Sequence, residues 1–126
     1  MIEKIYTKSS PKAIGAYSQG IIAGKLIFTS GQIPLVPNTN EIIKGTIEDE
    51  VMQVLNNIEN ILVEGGSSLH TVAKFTVYLT NLDVFPIVNK VFKEKLSVNL
   101  PARSVVEVSK LPMNANIEID AIGIIQ

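Results

Sequence analysis

The chain has 126 residues, of which 46% are hydrophobic and 18% charged, a composition typical of one compact globular domain covering residues 1–126. Eleven basic and twelve acidic side chains give a formal net charge of −1 without a basic block, which argues against a nucleic-acid partner. Cysteine is absent and His70 is the single histidine, which excludes disulfides and sulfur-ligated metals and leaves too few imidazoles for an ordinary metal site.

The beginning of the chain, residues 1–10, lacks an apolar signal segment. No stretch approaches the roughly 20 apolar residues that a membrane-spanning helix needs. We therefore expect a soluble, cytoplasmic protein without a membrane partner.

The N-terminal third predicts strands and a loop. Residues 2–7 alternate weakly, as in an edge strand. Residues 18–23 and 25–30 flank a glycine and predict the two strands of a hairpin. Residues 34–41 contain two prolines and an Asn-Thr-Asn cluster, so they predict a loop.

A long amphipathic helix follows. Thr46 can cap its start, with Asp49 three positions on in a near capping box, and Gly65-Gly66 marks its end. One apolar stripe recurs at helical spacing and consists of Ile47, Val51, Val54, Leu55, Ile58, Ile61 and Leu62. We expect the polar residues of the segment to lie mostly outside this stripe: Glu50, Gln53, Asn57 and Glu64.

The C-terminal half predicts a strand, a second helix and two further strands. Residues 73–80 alternate cleanly between apolar and polar side chains. Asn81 or Asp83 can cap a helix with Pro86 in its first turn, and the final strands cover about 103–109 and 116–125. The predicted order is βββαβαββ, an α+β fold in which two helices cover one face of a six-stranded mixed sheet.

The last strands are apolar on both faces. Val105 and Val106 are consecutive, and the final strand places Ile119 on one side and Ile122 and Ile124 on the other. Soluble monomers rarely expose a large apolar patch. We therefore expect the second face of the sheet to be buried against other copies of the chain.

Arg103 is the only arginine among eleven basic residues, and Pro101 stiffens the approach to it. A guanidinium differs from the lysine ammonium because it can hold a carboxylate with two parallel hydrogen bonds. The sequence leaves two interpretations open, a site for an anionic ligand or a structural ion pair with Glu107 or Glu118.

Other polar residues are weaker candidates for a site. Glu118 and Asp120 share one face of the last strand beside an apolar wall, which can raise a carboxyl pKa toward a range useful for acid–base catalysis. The alternative is that both only solvate the end of the strand. Tyr17 and the Ser30-Gly31-Gln32 segment lie at strand ends, where packing and an ordinary turn are the competing explanations. His70 is expected to be an exposed loop residue.

Six segments together resemble the RidA family, also called YjgF/YER057c/UK114. They read "AIGAYSQG", "IFTSGQIP", "VLNNIENILVEGG", "VYLTNLDVFPIVNKVF", "PARSVVEV" and "IEIDAI". The similarity is collinear from about residue 8 to the C-terminus, and "SGQIP", "PARS" and "IEIDAI" are its specific parts. It implies a chorismate-mutase-like (bacillus type) α+β fold and a homotrimer whose inner sheet faces form a closed barrel.

The resemblance also implies an activity. Members hydrolyse reactive enamines and imines, such as 2-aminoacrylate (2-iminopropanoate) and 2-aminocrotonate (2-iminobutanoate), to 2-keto acids and ammonia. Pyridoxal-phosphate-dependent dehydratases produce these intermediates, and the hydrolysis needs no metal or organic cofactor. By this resemblance Arg103 would hold the substrate carboxylate and Glu118 would position water. Tyr17, the Ser30-Gly31 backbone and Asn89 would line a pocket between subunits.

Two positions depart from the pattern of many active members, which carry a cysteine where this chain has Val105 and a proline where it has Ala16. Neither change touches the arginine or the glutamate. The main alternative function is a non-enzymatic trimer that binds small carboxylates, for which Glu118 would be unnecessary and repulsive. A nuclease or a chorismate mutase is disfavoured, because the chain has one arginine and one histidine.

Overall fold

The computed structural model describes residues 2–126. It contains eight strands, β1 (Ile2–Ile5), β2 (Gly20–Ala23), β3 (Leu26–Thr29), β4 (Leu35–Val36), β5 (Glu41–Ile42), β6 (Val72–Leu79), β7 (Ala102–Glu107) and β8 (Ile117–Ile124), and two α-helices, α1 (Ile47–Glu64) and α2 (Phe85–Leu96). No helix in the described residues is both long and apolar enough to cross a membrane.

Six of the strands form one mixed sheet in the order β1-β2-β3-β8-β6-β7. All neighbours are antiparallel except β6 and β7, which are parallel because α2 carries the chain across between them. The six-stranded mixed sheet with two helices, predicted from the sequence, is therefore confirmed.

The prediction of a loop over residues 34–41 is wrong in part, since β4 and β5 form a small hairpin there. Leu35 is buried beside Ile33 and Ala115, and this packing holds β4 in place. The prolines do not interrupt the hairpin because its two pairs, Leu35–Ile42 and Val36–Glu41, lie between and beyond them. Asn40 closes the turn in the left-handed region, with φ 53°.

Helix α1 begins with the predicted capping box. The Thr46 hydroxyl oxygen accepts from the Asp49 amide at 3.2 Å, and the Asp49 carboxylate accepts from the Thr46 amide at 2.9 Å. The expectation that the polar residues lie outside the buried stripe is wrong for Glu50 and Asn57, which are buried. Asn57 donates to the Leu35 carbonyl and so ties β4 to the helix, and Glu50 accepts from Asn116 and so ties the loop before β8 to it.

Helix α2 follows a short 3₁₀ turn, Leu82–Val84, that Asn81 caps by accepting a hydrogen bond from the Asp83 amide. Of the two predicted capping residues, Asn81 therefore serves, and it caps this turn rather than the α-helix itself. Pro86 lies in the first turn of α2, where its missing N–H costs no hydrogen bond.

The two helices and the hydrophobic core lie on one face of the sheet. Ile117, Ile119 and Ala121 of β8 are buried beneath α1, and Phe75 meets Phe92 of α2 edge to face at 5.2 Å. We call the other side the open face; its side chains include Phe28, Tyr78, Val106, Glu118, Asp120, Ile122 and Ile124. Phe28, Val106 and Ile124 are 41–42% exposed there, which confirms that the strands are apolar on both sides.

Candidate active site

A cleft of about 440 Å³ opens beside β8, and we call it the Glu118 cleft. Its lining consists of Pro11, Lys12, Ile14, Tyr17, Ser30, Gly31, Gln32, Ile33, Leu35, Pro112 and Glu118. It thus brings together four residues predicted for the site: Tyr17, Ser30, Gly31 and Glu118. Most of the other lining residues are apolar, as is usual in pockets for small molecules.

A β-bulge shapes one wall of this cleft. Phe28 pairs with Ile122, and the next backbone bridge joins Gln32 to Ile119, so the β3 side has one residue more than the β8 side. Within the bulge, the Ala121 amide donates to the Thr29 hydroxyl at 3.0 Å instead of to a backbone carbonyl.

Glu118 lies directly against Gly31. A Cβ atom added at Gly31 would lie 2.7 Å from Glu118 Cδ, so only glycine leaves room for the carboxylate in this position. Burial raises the pKa of Glu118 above its usual value, and the negative charge of Asp120 raises it further. Glu118 is therefore a carboxylate able to accept a proton closer to neutral pH than an exposed glutamate can.

Tyr17 also lines the cleft and is 48% exposed. Its hydroxyl oxygen accepts a hydrogen bond from the Ile14 amide at 3.3 Å. The buried Gln19 holds the preceding segment, because its side chain accepts from the Thr7 amide at 2.7 Å and donates to the Pro11 carbonyl at 2.9 Å. Sequence reasoning missed Gln19, although it lies within the "AYSQG" motif.

Arg103 lines a separate cavity of about 310 Å³, together with Asn89, Phe92, Lys93, Leu100 and Pro101; we call it the Arg103 cavity. One Arg103 Nη donates to Asn89 Oδ1 at 2.7 Å, and the guanidinium lies 5.2 Å and 5.1 Å from the ring centroids of Phe85 and Phe92. These contacts fix the orientation of the guanidinium fork. Burial lowers the pKa of Arg103 from its usual value.

The structural ion pair considered for Arg103 does not form. The salt bridges within residues 2–126 join Lys90 to Glu48 and Lys95 to Glu59, and Glu107 instead accepts from the Leu82 amide at 2.9 Å. Arg103 therefore keeps donors available for a ligand.

One chain does not bring Arg103 and Glu118 together. Arg103 pairs with Phe75 and lies on the helix side of the edge strand β7, whereas Glu118 pairs with Tyr78 and lies on the open face. No residue lines both the Glu118 cleft and the Arg103 cavity. Within one chain Asn89, predicted near the tyrosine, lies with Arg103, because its side chain accepts a hydrogen bond from the guanidinium.

The remaining candidates have clear positions. Asp120 accepts a hydrogen bond from the Tyr78 hydroxyl at 3.4 Å, and burial raises its pKa while Tyr78 and Lys74 partly offset that rise. Val105, at the position of the family's cysteine, pairs with Val77 and packs against the core. His70 is exposed, and residues 2–126 contain no cluster of three or more potential metal ligands.

The family model described as Endoribonuclease L-PSP matches residues 7–125. The chain belongs to the RidA family. A RutC family protein of Pyrococcus horikoshii is 50% identical over 123 residues, covering 98% of both chains. A protein of Dermatophagoides farinae named 2-iminobutanoate/2-iminopropanoate deaminase is 38% identical over 122 residues, covering 97% of this chain and 95% of that one.

Among solved structures, Escherichia coli TdcF with bound serine superposes with a TM-score of 0.92 at 38% identity, covering 98% of this chain and 99% of that one. The similarity extends over nearly the whole chain, so it includes every element that carries a candidate site residue. The RidA-family, chorismate-mutase-like α+β fold is therefore established for this chain.

Proposed function

We propose that this RidA-family protein hydrolyses small 2-imino acids, such as 2-iminopropanoate and 2-iminobutanoate, to 2-keto acids and ammonia. The observation that carries the proposal is Glu118, a half-buried carboxylate of raised pKa that lies against the Gly31 backbone in a largely apolar cleft. The deaminase name of the Dermatophagoides farinae relative supports the choice of substrate. The serine bound to TdcF shows a small amino acid held by a similar protein.

We further propose that the working protein is a homotrimer with its sites between subunits. The Arg103 cavity and the Glu118 cleft are separate in one chain, yet the proposed reaction needs a carboxylate anchor and a base on one substrate. Joining the Arg103 cavity of one subunit to the Glu118 cleft of the next supplies both. The apolar residues on the open face are the surface that such an assembly would bury.

Each residue then has a role. Arg103, oriented by Asn89, binds the carboxylate of the substrate through paired hydrogen bonds and fixes the position of its C2 atom. The Ser30–Gly31 backbone and Tyr17 bound the cleft around C2, and Glu118 orients a water molecule toward it.

The reaction follows from this placement. The water oxygen attacks C2 of the protonated imine, the π electrons of the C=N bond move to nitrogen, and Glu118 accepts a proton from the water. Glu118 then returns this proton to nitrogen and, as the C–N bond breaks, accepts the proton of the C2 hydroxyl, so that the carbonyl forms and ammonia leaves. The proton left on Glu118 passes to ammonia or to solvent, which restores the carboxylate. The raised pKa of Glu118 suits both steps, because the group must accept and donate within one turnover.

A coupled assay tests the proposal. A pyridoxal-phosphate-dependent dehydratase generates the enamine, and keto-acid release is followed with the wild type, Glu118→Gln and Arg103→Lys. We expect Glu118→Gln to lower kcat by about 100-fold, because a positioned acid–base group contributes on the order of 10²–10⁴. Arg103→Lys should lower kcat/KM by at least about tenfold, because an ammonium cannot form the paired contact.

Glu107→Gln is the matched control, since Glu107 is a carboxylate on β7 that lines neither cavity. It should retain wild-type kinetics. If the wild type released keto acid no faster than solution does, the proposed activity would be wrong. Binding of a keto acid without turnover would instead favour the non-enzymatic carboxylate-binding trimer.

A further inference from the structure

The Glu118 cleft contains a second charged residue that the proposed mechanism does not use. Among its lining residues only Lys12 and Glu118 carry charge, and Lys12 is therefore the one cation there. A carboxylate by itself repels anionic substrates, and every 2-imino acid carries at least one negative charge. Glu118 consequently opposes the approach of a substrate carboxylate to the cleft, whereas Lys12 and, in the proposed assembly, Arg103 of the partner subunit attract it.

The structure holds the backbone of Lys12 and leaves its side chain exposed. The Lys12 carbonyl accepts a hydrogen bond from Asn40 Nδ2 at 3.2 Å, and the adjacent Pro11 carbonyl accepts from Gln19 at 2.9 Å. Lys12 forms neither of the salt bridges found within residues 2–126, which involve Lys90 and Lys95. The backbone of Lys12 is thus fixed at the cleft, and no salt bridge within residues 2–126 neutralises its charge.

Lys12 also connects the Glu118 cleft with a basic stretch of surface. It lines two neighbouring cavities, one with Lys8 and one with Lys4, and no acidic residue lines either of them. Lys4, Lys8 and Lys12 therefore form a group of positive charges beside the Glu118 cleft, and such a group attracts anions from solution.

We propose that Lys12 is a specificity-determining residue for anionic substrates, which attracts the substrate carboxylate to the cleft. The inference rests on the proposed imine hydrolysis and names the charge of the ligand as the property that Lys12 selects. Lys12 contributes to binding of the substrate rather than to the chemical step. This contribution grows with the negative charge of the ligand and weakens with ionic strength, since solvent-exposed charges are screened over about 8 Å at physiological salt.

The test compares Lys12→Met and Lys12→Arg with Lys8→Met, a matched control that removes a nearby lysine outside the cleft. In the coupled assay at low salt, Lys12→Met should raise KM about three- to tenfold with kcat nearly unchanged, and Lys12→Arg should remain close to the wild type. The ratio of the Lys12→Met KM to the wild-type KM should fall toward one at about 0.5 M salt, where the screening length is a few ångströms. An effect on kcat alone, a salt-independent effect or an equal effect of Lys8→Met would overturn the assignment.

A binding measurement separates this inference from the proposed activity. Titration calorimetry with 2-oxobutanoate, which carries one charge, and 2-oxoglutarate, which carries two, needs no turnover. Lys12→Met should weaken binding of both keto acids, and of the doubly charged one by the larger factor. Lys12-dependent binding without catalysis would support the role of Lys12 while rejecting the deaminase. Equal affinities of wild type and Lys12→Met, or no binding to either, would overturn the inference.

Discussion

Glu118 and Asp120 occupy alternate positions of β8, so both carboxyl groups project from the open face. The pKa of each is raised, mainly by burial, and the charge of Asp120 is a second cause for Glu118. If Glu118 acts in its ionised form, activity falls as pH drops through its raised pKa. The acidic limb of the pH profile should therefore lie above the ordinary glutamate value of 4.5.

Asp120→Asn removes one of the two causes of that shift. Without the neighbouring negative charge the ionised form of Glu118 is easier to maintain, so its pKa falls and activity persists to lower pH. We expect the acidic limb of the pH profile to move to lower pH but to stay above the ordinary glutamate pKa, because the burial of Glu118 remains. The measurement is kcat/KM against pH, with Asp83→Asn as an exposed control. An unchanged or upward-shifted limb would show that Asp120 does not influence Glu118.

Gly31→Ala tests the close approach of Glu118 to the backbone. The new methyl group would overlap the carboxylate, so Glu118 must turn away while its charge is kept. We expect kcat to fall at least about tenfold, because small displacements of a catalytic group cost much of its effect. The melting temperature should change far less than the activity. Gly24→Ala is the contrasting variant, because it introduces backbone strain without a steric clash. A Cβ at Gly24 meets no atom, but the φ of 63° is strained for alanine.

At the scale of single elements, the capping box of α1 is a local device and was predictable from Thr46 and Asp49 alone. Thr46→Ala removes the hydroxyl that accepts from the Asp49 amide. We expect the free energy of unfolding to fall by about 1 kcal/mol, the usual cost of losing an N-cap. Chemical denaturation measures this, and Lys44→Ala, an exposed change just before the helix, should have little effect. A loss of kcat in folded Thr46→Ala would contradict a purely structural role.

Elements whose partners are distant in sequence were harder to predict. Asn57 is buried because it reaches the Leu35 carbonyl, 22 positions earlier, and Glu50 is buried because it meets Asn116, 66 positions later. Helical periodicity classes both as solvent-facing, since a single helix carries no information about the loops packed on it. The β4–β5 hairpin was missed for a similar reason, because its packing depends on Ala115 far along the chain.

At the scale of the whole molecule, the sequence pointed to candidate site residues without showing that they form two groups in one chain. Arg103, Glu118 and Tyr17 are recognisable by residue type and motif. Strand order alone decides that Arg103 lies at an edge of the sheet on the helix side, whereas Glu118 lies on the open face two strands away. Because Arg103 and Glu118 lie on different surfaces of one chain, a site between subunits would take each residue from a different chain, and this can be tested.

Mixed oligomers provide that test. Arg103→Ala and Glu118→Ala should each be inactive alone, yet their mixture, unfolded and refolded together, should recover activity. In randomly mixed trimers roughly a quarter of the sites pair an intact arginine with an intact glutamate from different chains. We therefore expect about a quarter of wild-type activity. Mixed oligomers demonstrated by native mass spectrometry but without activity would show that each site belongs to one chain.

Strand β8 also bears on how a protein of this kind can diverge. Its buried residues hold the core, and the residues between them, Glu118 and Asp120, face away from it. Point substitutions at the outward positions can alter chemistry without disturbing the fold. Loss or gain of one residue within the strand would exchange the two sets and place both carboxylates in the core. Related proteins can therefore change their reaction through substitutions at the outward positions of β8. Insertions and deletions within this strand are selected against, because they disrupt the core.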